Sequence, residues 1–403
     1  MREKMIRSRQ LSFMSACDIG ENLIAIDEFG KGIFQIDKAD MSSHLLVMLN
    51  NMTRKRNLYQ CAERFGDEIF FFPYSFVQEE VIVYHLESHE IEYLDLGQMS
   101  NLVQGDYKPA QRIENDIWLF PVEISRNVLI FHICTREIEE VSQWKKLMQD
   151  FNLTYTDAYR KVGWLIEVQN VIYATIKGTN YILKIDKNRC KFERHILSKE
   201  VRLHVMVDYD GQNLWMLEQR NRGIIAWNPV TDRMQYYSME LINDELQNDN
   251  WTMNILCGKK YLWLIPNWDN RLVRMDYKTG KYEFVDVFPE ELCYRARECG
   301  GMFYLTTKTG NIADIYPFTG NMVIHIDLEN DRLLEQHEQI FLPSEWSEDD
   351  ILNYQLQNGT EYESQRIISE VYMDCFYRDI DNVKTFNRNS DNGKNIWNLI
   401  SGE

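Results

Sequence analysis

A short apolar segment recurs seven times along this chain, and its period restricts the fold more than any other feature of the sequence. The seven copies begin at Leu23, Ile69, Ile117, Ile172, Leu214, Leu262 and Phe303. On average they are about 47 residues apart, which is the length of one blade in the common propeller repeats. The period therefore favours a ring of similar β-sheet units over a set of unrelated domains.

Each repeat contains the signals for four strands. A turn rich in Gly, Asn and Asp precedes the recurring segment, as at 210–213, and these residues tolerate the positive φ angles of tight hairpins. A third strand follows, as at 224–227, and then a second turn at 228–232 or 276–280. A fourth strand closes the unit, as at 282–285. An α/β fold would need helices between the strands, which this pattern lacks.

We therefore predict an all-β fold, a seven-bladed β-propeller of four-stranded antiparallel blades, with a partly helical C-terminal extension. The propeller covers residues 1–328, with blades near 11–48, 57–97, 108–142, 155–198, 203–239, 251–288 and 293–328. Blades one and four are the least regular. The sequence therefore also allows the alternative of a six-bladed ring with a decorated closure. Residues 329–403 are polar and acidic and are predicted to pack on the propeller, with a helix near 363–378.

Charge and cysteine content restrict the partners and the compartment. The formal net charge is −18, which works against binding to phosphate backbones and excludes nucleic acid as the expected partner. No apolar run reaches the length of a membrane span. The eight cysteines are scattered singly, without the close pairs of a zinc site or the density of a disulfide scaffold. We expect a cytoplasmic protein with reduced thiols.

The usual sequence motifs of catalysis and cofactor binding are missing. The chain has no Gly-x-Ser-x-Gly elbow, no Walker A loop and no Gly-x-Gly-x-x-Gly fingerprint. His337-Glu338 lacks the second histidine of a zinc-binding helix. We therefore expect no cofactor and no metal, and the sequence assigns no catalytic residue.

The loops between second and third strands are the best candidates for a binding site. In a propeller they emerge with the inter-blade connections on one face, around the mouth of the central channel. The candidate ligand-binding residues in these loops are Tyr74, Arg126, Lys177, Glu218, Arg220, Asn221, Arg222, Asn267, Trp268, Asp269, Arg271 and Lys308. Arginine grips carboxylate or phosphate, and aromatic rings cover apolar faces. This mixture predicts a protein partner or a small anionic or sugar-like ligand.

Two stretches resemble a known family. Residues 213–229 and 261–276 are similar to blades of the streptogramin lyase-like and sensor-type seven-bladed propellers, which commonly carry a Leu-Trp strand, a polar loop with Asn and an Ile-containing third strand. The resemblance implies that fold for most of residues 11–328. In the family's lyases a histidine at the channel mouth acts as base beside acidic residues and magnesium. The resemblance makes Glu218 an acidic candidate, and no position here matches the histidine.

The leading functional hypothesis is a binding scaffold without chemistry of its own, which recognises its ligand or partner through the channel-mouth loops. The alternative is an enzyme of the lyase or hydrolase type, with an acid–base pair assembled from different blades. A propeller hosts either kind of function, so the fold does not choose between them.

Overall fold

A computed structural model of the chain contains seven antiparallel sheets, each with four consecutive strands in chain order. It describes residues 11–354 except 12, 28–30, 50–58, 74–79, 104–106, 122–125, 150–161, 187–190, 220–222, 240–251, 267–270, 287–302, 318–321, 335–337, 341, 348–349 and 352–353. The first strand of the last sheet lies against that of the first, which closes the ring. The predicted seven-bladed propeller is confirmed. The helix predicted near 363–378 lies outside the described residues.

The first four blades use strands β1 to β16. Blades 1 and 2 contain β1 (Phe13–Asp18), β2 (Asn22–Asp27), β3 (Gly32–Asp37), β4 (Ser43–Met48), β5 (Tyr59–Phe65), β6 (Glu68–Pro73), β7 (Val81–His85) and β8 (Ile91–Leu94). Blades 3 and 4 contain β9 (Tyr107–Ile113), β10 (Asp116–Pro121), β11 (Val128–His132), β12 (Glu137–Val141), β13 (Ile166–Val168), β14 (Val171–Thr175), β15 (Tyr181–Asp186) and β16 (Lys191–Ile196). Short helices follow β8 and β12, namely α1 (Leu96–Met99) and α2 (Gln143–Gln149).

The last three blades use strands β17 to β28. Blades 5 and 6 contain β17 (Leu203–Tyr209), β18 (Leu214–Glu218), β19 (Gly223–Trp227), β20 (Met234–Ser238), β21 (Thr252–Cys257), β22 (Tyr261–Pro266), β23 (Arg271–Asp276) and β24 (Tyr282–Asp286). Blade 7 contains β25 (Phe303–Thr309), β26 (Ile312–Pro317), β27 (Met322–Asp327) and β28 (Arg332–Leu333), and β29 (Glu338–Gln339) also pairs with β27.

The core lies between neighbouring blades. The second strands are apolar on both faces because each face packs against a different blade; in β6, for example, every residue after Glu68 is buried. Phe70 of blade 2 makes an edge contact with Phe131 of blade 3, with ring centroids 6.1 Å apart. Blades 3 and 4 likewise share one apolar cluster that contains Trp118 and Ile185. Burial between blades thus explains why the recurring segment is apolar.

The turn from the third to the fourth strand has one conformation in six blades. Each turn ends on a residue with positive φ, namely Met41, His89, Arg136, Asp232, Gly280 and Asp331. The side chains of Asn228 and Asp276 accept hydrogen bonds from backbone N–H groups two and three residues later, as expected for turn-forming residues. The predicted turns at 228–232 and 276–280 are confirmed.

Blade 7 departs from the strand order that the sequence predicted. The segment beginning at Phe303 was assigned to the second strand, but it forms the first strand, β25, and the second strand is β26. The assignment was wrong because Asp314, which is only 5% exposed, interrupts the apolar pattern of β26. The fourth strand, β28, has two residues and lies beyond the predicted boundary at 328.

The ring closes without any exchange of strands between its ends, because blades 1 and 7 are each built from consecutive strands. Polar contacts join them, since Lys38 Nζ lies 2.9 Å from Asp18 of its own blade and 3.9 Å from Asp314 of blade 7. Beyond blade 7, Trp346 packs on Phe34 of blade 1 with ring centroids 6.2 Å apart. Trp346 therefore contacts the third strand of blade 1.

Candidate functional site

The channel-mouth face is formed by the loops between second and third strands together with the inter-blade connections. Of the twelve predicted residues, the structure describes the side chains of Arg126, Lys177, Glu218 and Lys308. Arg271 is described by its backbone, at the start of β23. The remaining predictions lie outside the described residues, namely Tyr74, Arg220, Asn221, Arg222, Asn267, Trp268 and Asp269.

The loop that carries Lys177 is fixed to the neighbouring blade. Gly178 N–H donates to the carbonyl of Leu203 at 2.8 Å, and Leu203 N–H donates to the carbonyl of Thr179 at 2.8 Å. Gly178 has a φ of +79°, a conformation that glycine adopts readily. The Thr179 hydroxyl also donates to the Ile176 carbonyl at 2.8 Å. The loop backbone next to Lys177 is thus fixed against the first strand of blade 5.

Glu218 ends the second strand of blade 5. The next residue, Gln219, lies close to the Lys177 loop, because its Oε1 would be 3.9 Å from a Cβ atom placed on Gly178. The Glu218 carboxylate accepts a hydrogen bond of 2.6 Å from the Tyr236 hydroxyl on the fourth strand. The ammonium of Lys199 stands 3.0 Å from the centre of the Tyr236 ring. Glu218 is therefore engaged by the outer part of its own blade.

Arg126 lies two residues before β11, and its terminal nitrogen Nη1 is buried. The next residue, Asn127, donates a hydrogen bond of 2.7 Å to Glu140 Oε1 on the fourth strand. Arg126 is thus half-buried against blade 3.

Lys308 does not lie in a second-to-third loop. It stands near the end of β25, before the turn to β26, at the opposite end of the channel from the predicted face. The prediction of its loop was wrong because the strand pattern of blade 7 is shifted by one strand. Lys308 Nζ forms an ion pair of 3.0 Å with Asp208 of blade 5, whose carboxylate also accepts from Cys257 N–H at 2.8 Å.

The described cysteines near the inner strands are poor nucleophiles. Burial, together with the negative charge of the nearby Glu63 carboxylate, raises the pKa of Cys17 to about 12. Burial likewise raises the pKa of Cys61 and of Cys257 well above the usual range. Only the thiolate attacks or binds metals. These thiols therefore stay protonated at neutral pH and offer no covalent catalysis.

Two clusters in which a histidine lies between two carboxylates were not predicted from the sequence. They are formed by Glu68, His85 and Glu92 in blade 2, and by Asp116, His132 and Glu139 in blade 3. The signal was present as an acidic residue at the start of the second strand and a histidine at the end of the third. Their proximity depends on strand register, which the spacing of residues alone does not give.

Comparisons with known proteins support the fold. No protein-family model matches the chain, and no curated protein is significantly similar to it. A solved structure of virginiamycin B lyase from Staphylococcus aureus has a TM-score of 0.53 at 12% identity, covering 77% of this chain and 92% of that one. YCF48 from Cyanidioschyzon merolae has a TM-score of 0.55 at 9% identity, covering 80% and 96%. YCF48 bound to D1 peptide gives 0.51 at 11% identity, covering 77% and 90%.

These likenesses confirm the resemblance to streptogramin lyase-like seven-bladed propellers at the level of fold. Identities of this size carry the architecture and no activity. Among the described residues, no helix is long and apolar enough to cross a membrane.

Proposed function

We propose that this propeller is a binding scaffold, without chemistry of its own, that captures a protein partner or a small anionic or sugar-like ligand at the channel mouth. The observation that carries the proposal is the fixed loop of blade 4. Its two backbone hydrogen bonds with Leu203 hold the backbone of Gly178 and Thr179, next to Lys177, against blade 5. A loop whose backbone is already fixed binds a ligand at a lower cost in conformational entropy than a mobile loop.

The residue types of the channel-mouth loops support the same ligand class. Arg220, Arg222 and Arg271 join Lys177 and Arg126 in the sequence of these loops, although the chain as a whole has a net charge of −18. Trp268 and Tyr74 add aromatic surfaces to the same set of loops. Basic loops in an acidic protein suit an anionic group, since the field of the remaining surface repels anions elsewhere.

Proteins of the same fold have been solved with ligands. YCF48 is bound to the D1 peptide in one structure, and an inactive virginiamycin B lyase is solved with quinupristin in another. A seven-bladed ring of this size therefore accommodates either a peptide or a small molecule, and both fit the proposal.

The alternative of a lyase- or hydrolase-type enzyme has less support. Such an enzyme needs an acid–base pair within hydrogen-bonding reach of its substrate. Glu218, the acidic residue that the resemblance offers, is hydrogen-bonded to Tyr236 instead. The protonated state of the described inner-strand cysteines also argues against thiol catalysis.

We further propose that the protein works in the cytoplasm. Cys17, Cys61, Cys134 and Cys257 are free thiols in the structure. Free cysteines in this number suit a reducing compartment, where disulfides are rare.

Affinity capture from an extract of the native host tests the proposal, with bound proteins and small molecules both identified by mass spectrometry. The test variant combines Lys177→Ala, Trp268→Ala and Arg271→Ala. The control combines Lys191→Ala and Lys259→Ala, which remove exposed lysines at the opposite end of the ring. We expect the test variant to lose the species that the wild type and the control retain.

We expect both variants to melt within about 2 °C of the wild type, because residues that serve binding rather than packing contribute little to stability. If the test variant still captures the same species, the channel mouth is not the binding face. A large fall in its melting temperature would instead assign these residues a structural role.

A further inference from the structure

Strand register brings two carboxylates and a histidine together in blade 2. Glu68 of β6 lies directly opposite His85 of β7, and Glu92 of β8 lies opposite Val83. Val83 is two residues from His85, so all three polar side chains are on the same face of the sheet. Val83 packs in a core cluster with Phe131 of blade 3, so this face is the one towards blade 3.

The distances from the His85 ring nitrogens to the two carboxylates are too long for hydrogen bonds. His85 Nδ1 is 3.7 Å from Glu68 Oε1, and His85 Nε2 is 3.9 Å from Glu92 Oε2. Hydrogen bonds between such groups span about 2.7–3.2 Å. One ligand atom from each of the three side chains lies within 4.8 Å of the others. Ligands on a tetrahedral ion with bonds of about 2.1 Å are about 3.4 Å apart, so small rotations would bring three ligands onto one ion.

The guanidinium of Arg136 already forms ion pairs with both carboxylates. Arg136 comes from the third-to-fourth turn of blade 3, and its Nη2 lies 2.8 Å from Glu68 Oε1 while its Nη1 lies 2.5 Å from Glu92 Oε1. Arg136 also lines a groove of about 640 Å³, together with Met99 and Ser100 of blade 2. His132 and Glu139 of the blade 3 cluster line the same groove.

The corresponding cluster in blade 3 differs in one decisive respect. Asp116 lies opposite His132, and Glu139 lies opposite Ile130, so the three polar side chains have the same register as those in blade 2. His132 is within hydrogen-bonding distance of both carboxylates, 2.8 Å from Asp116 and 3.3 Å from Glu139. In blade 3 the histidine itself satisfies the acidic groups, whereas in blade 2 an external cation does so.

We propose that Glu68, His85 and Glu92 form a binding site for a divalent transition-metal ion of the Zn²⁺ class, and that Arg136 competes with the ion for both carboxylates. One imidazole nitrogen and two carboxylate oxygens are a donor set that Zn²⁺ accepts in proteins. Three protein ligands leave a fourth position for water or for a ligand atom of a partner. The ligands are 24–39% exposed, so an ion reaches them from solvent.

Isothermal titration of the metal-free full chain with Zn²⁺ tests the proposal. We expect the wild type to bind one ion at this site. Glu68→Gln and His85→Gln should each raise the Kd by at least about tenfold, because each removes a direct ligand. Arg136→Gln should lower the Kd by about fivefold or more, since it removes the competing cation.

Matched controls come from the blade 3 cluster. Asp116→Asn and His132→Gln change the same kinds of residue at the same register and should leave the Kd for Zn²⁺ unchanged. Thermal melting without metal identifies any variant that fails to fold, and Glu92→Gln then replaces it as the ligand variant. Two results would overturn the proposal: no saturable binding by either the wild type or Arg136→Gln, or an unchanged Kd in folded variants of Glu68 and His85.

Discussion

His132 shows how a single side chain links the stability of a blade to pH. Burial lowers the pKa of His132, but the hydrogen bonds and negative charges of Asp116 and Glu139 together outweigh burial and raise it above 6.5. The folded state therefore favours the protonated imidazolium. Stability from this group is fully present below the pKa of the unfolded state, near 6.5, and is lost as pH rises through the raised pKa of the folded state.

We predict that His132→Gln destabilises the protein more in acid than in alkali. The histidine side chain is 30% exposed, so solvent screening limits the loss to about 1 kcal/mol near pH 5.5, and the loss should fall towards zero near pH 9. Urea unfolding at both pH values measures the difference. His44→Gln is the control, because His44 and its partner Glu345 are both 57% exposed. Equal losses at both pH values in His132→Gln would contradict the assigned charge.

The sequence predicted the role of a single residue correctly where that residue acts within its own turn. The turn residues Asn228 and Asp276 form the side-chain hydrogen bonds that their types predict. Lys308 was misplaced because the buried Asp314 of the next strand disguised the true second strand. Asp314 is paired with His325 at 2.8 Å, on the next strand. When such a partner is unknown, the sequence pattern predicts an exposed turn residue in place of a buried aspartate.

Third-to-fourth turns connect elements of different blades as well as strands of the same blade. The contact is made by the residue with positive φ. Arg136 of blade 3 binds Glu68 of blade 2, and Asp232 of blade 5 lies 3.0 Å from His195 of blade 4. In blade 7, Asp331 accepts hydrogen bonds from Lys260 N–H at 2.6 Å and from Tyr261 N–H at 3.3 Å, both in blade 6. In blades 3, 5 and 7 these turns thus hold the blade against the preceding one.

We predict that Asp331→Ala lowers the free energy of unfolding by about 2 kcal/mol. The substitution leaves two backbone N–H groups of blade 6 without their acceptor, and alanine tolerates the positive φ poorly. Asp331→Asn keeps one acceptor oxygen and the tolerance of positive φ, so it should cost clearly less. Urea unfolding of both variants gives the comparison. Equal losses, or no loss in Asp331→Ala, would show that the turn does not hold the blades together.

Strands and turns were predictable from the sequence because their signals are local. Period, apolar runs and turn residues located the recurring second strand in six of the seven blades. The role of the turns between blades was not predictable, because the sequence around Asp331 does not reveal that blade 6 lies against it.

For the whole molecule, the period of about 47 residues predicted the ring, and the structure resolves the choice between six and seven blades in favour of seven. The sequence did not predict which residues make contact where the ring closes. The contacts of Lys38 with Asp314 and of Trp346 with Phe34 join residues about 300 positions apart, and no local pattern specifies such pairs. The scaffold places the basic loops at one end of the channel and the compact first-to-second turns at the other.

Binding of the ligand or partner by the channel-mouth loops is tested by hydrogen–deuterium exchange of the full chain, with and without the species recovered by affinity capture. We predict slower exchange on binding in the segments 74–79, 122–126, 177–180, 218–222 and 267–271. Exchange should stay unchanged in the turns at the opposite end, at 19–21, 66–67, 114–115 and 258–260. Protection confined to those opposite turns, with unchanged exchange in the channel-mouth loops, would contradict the claim.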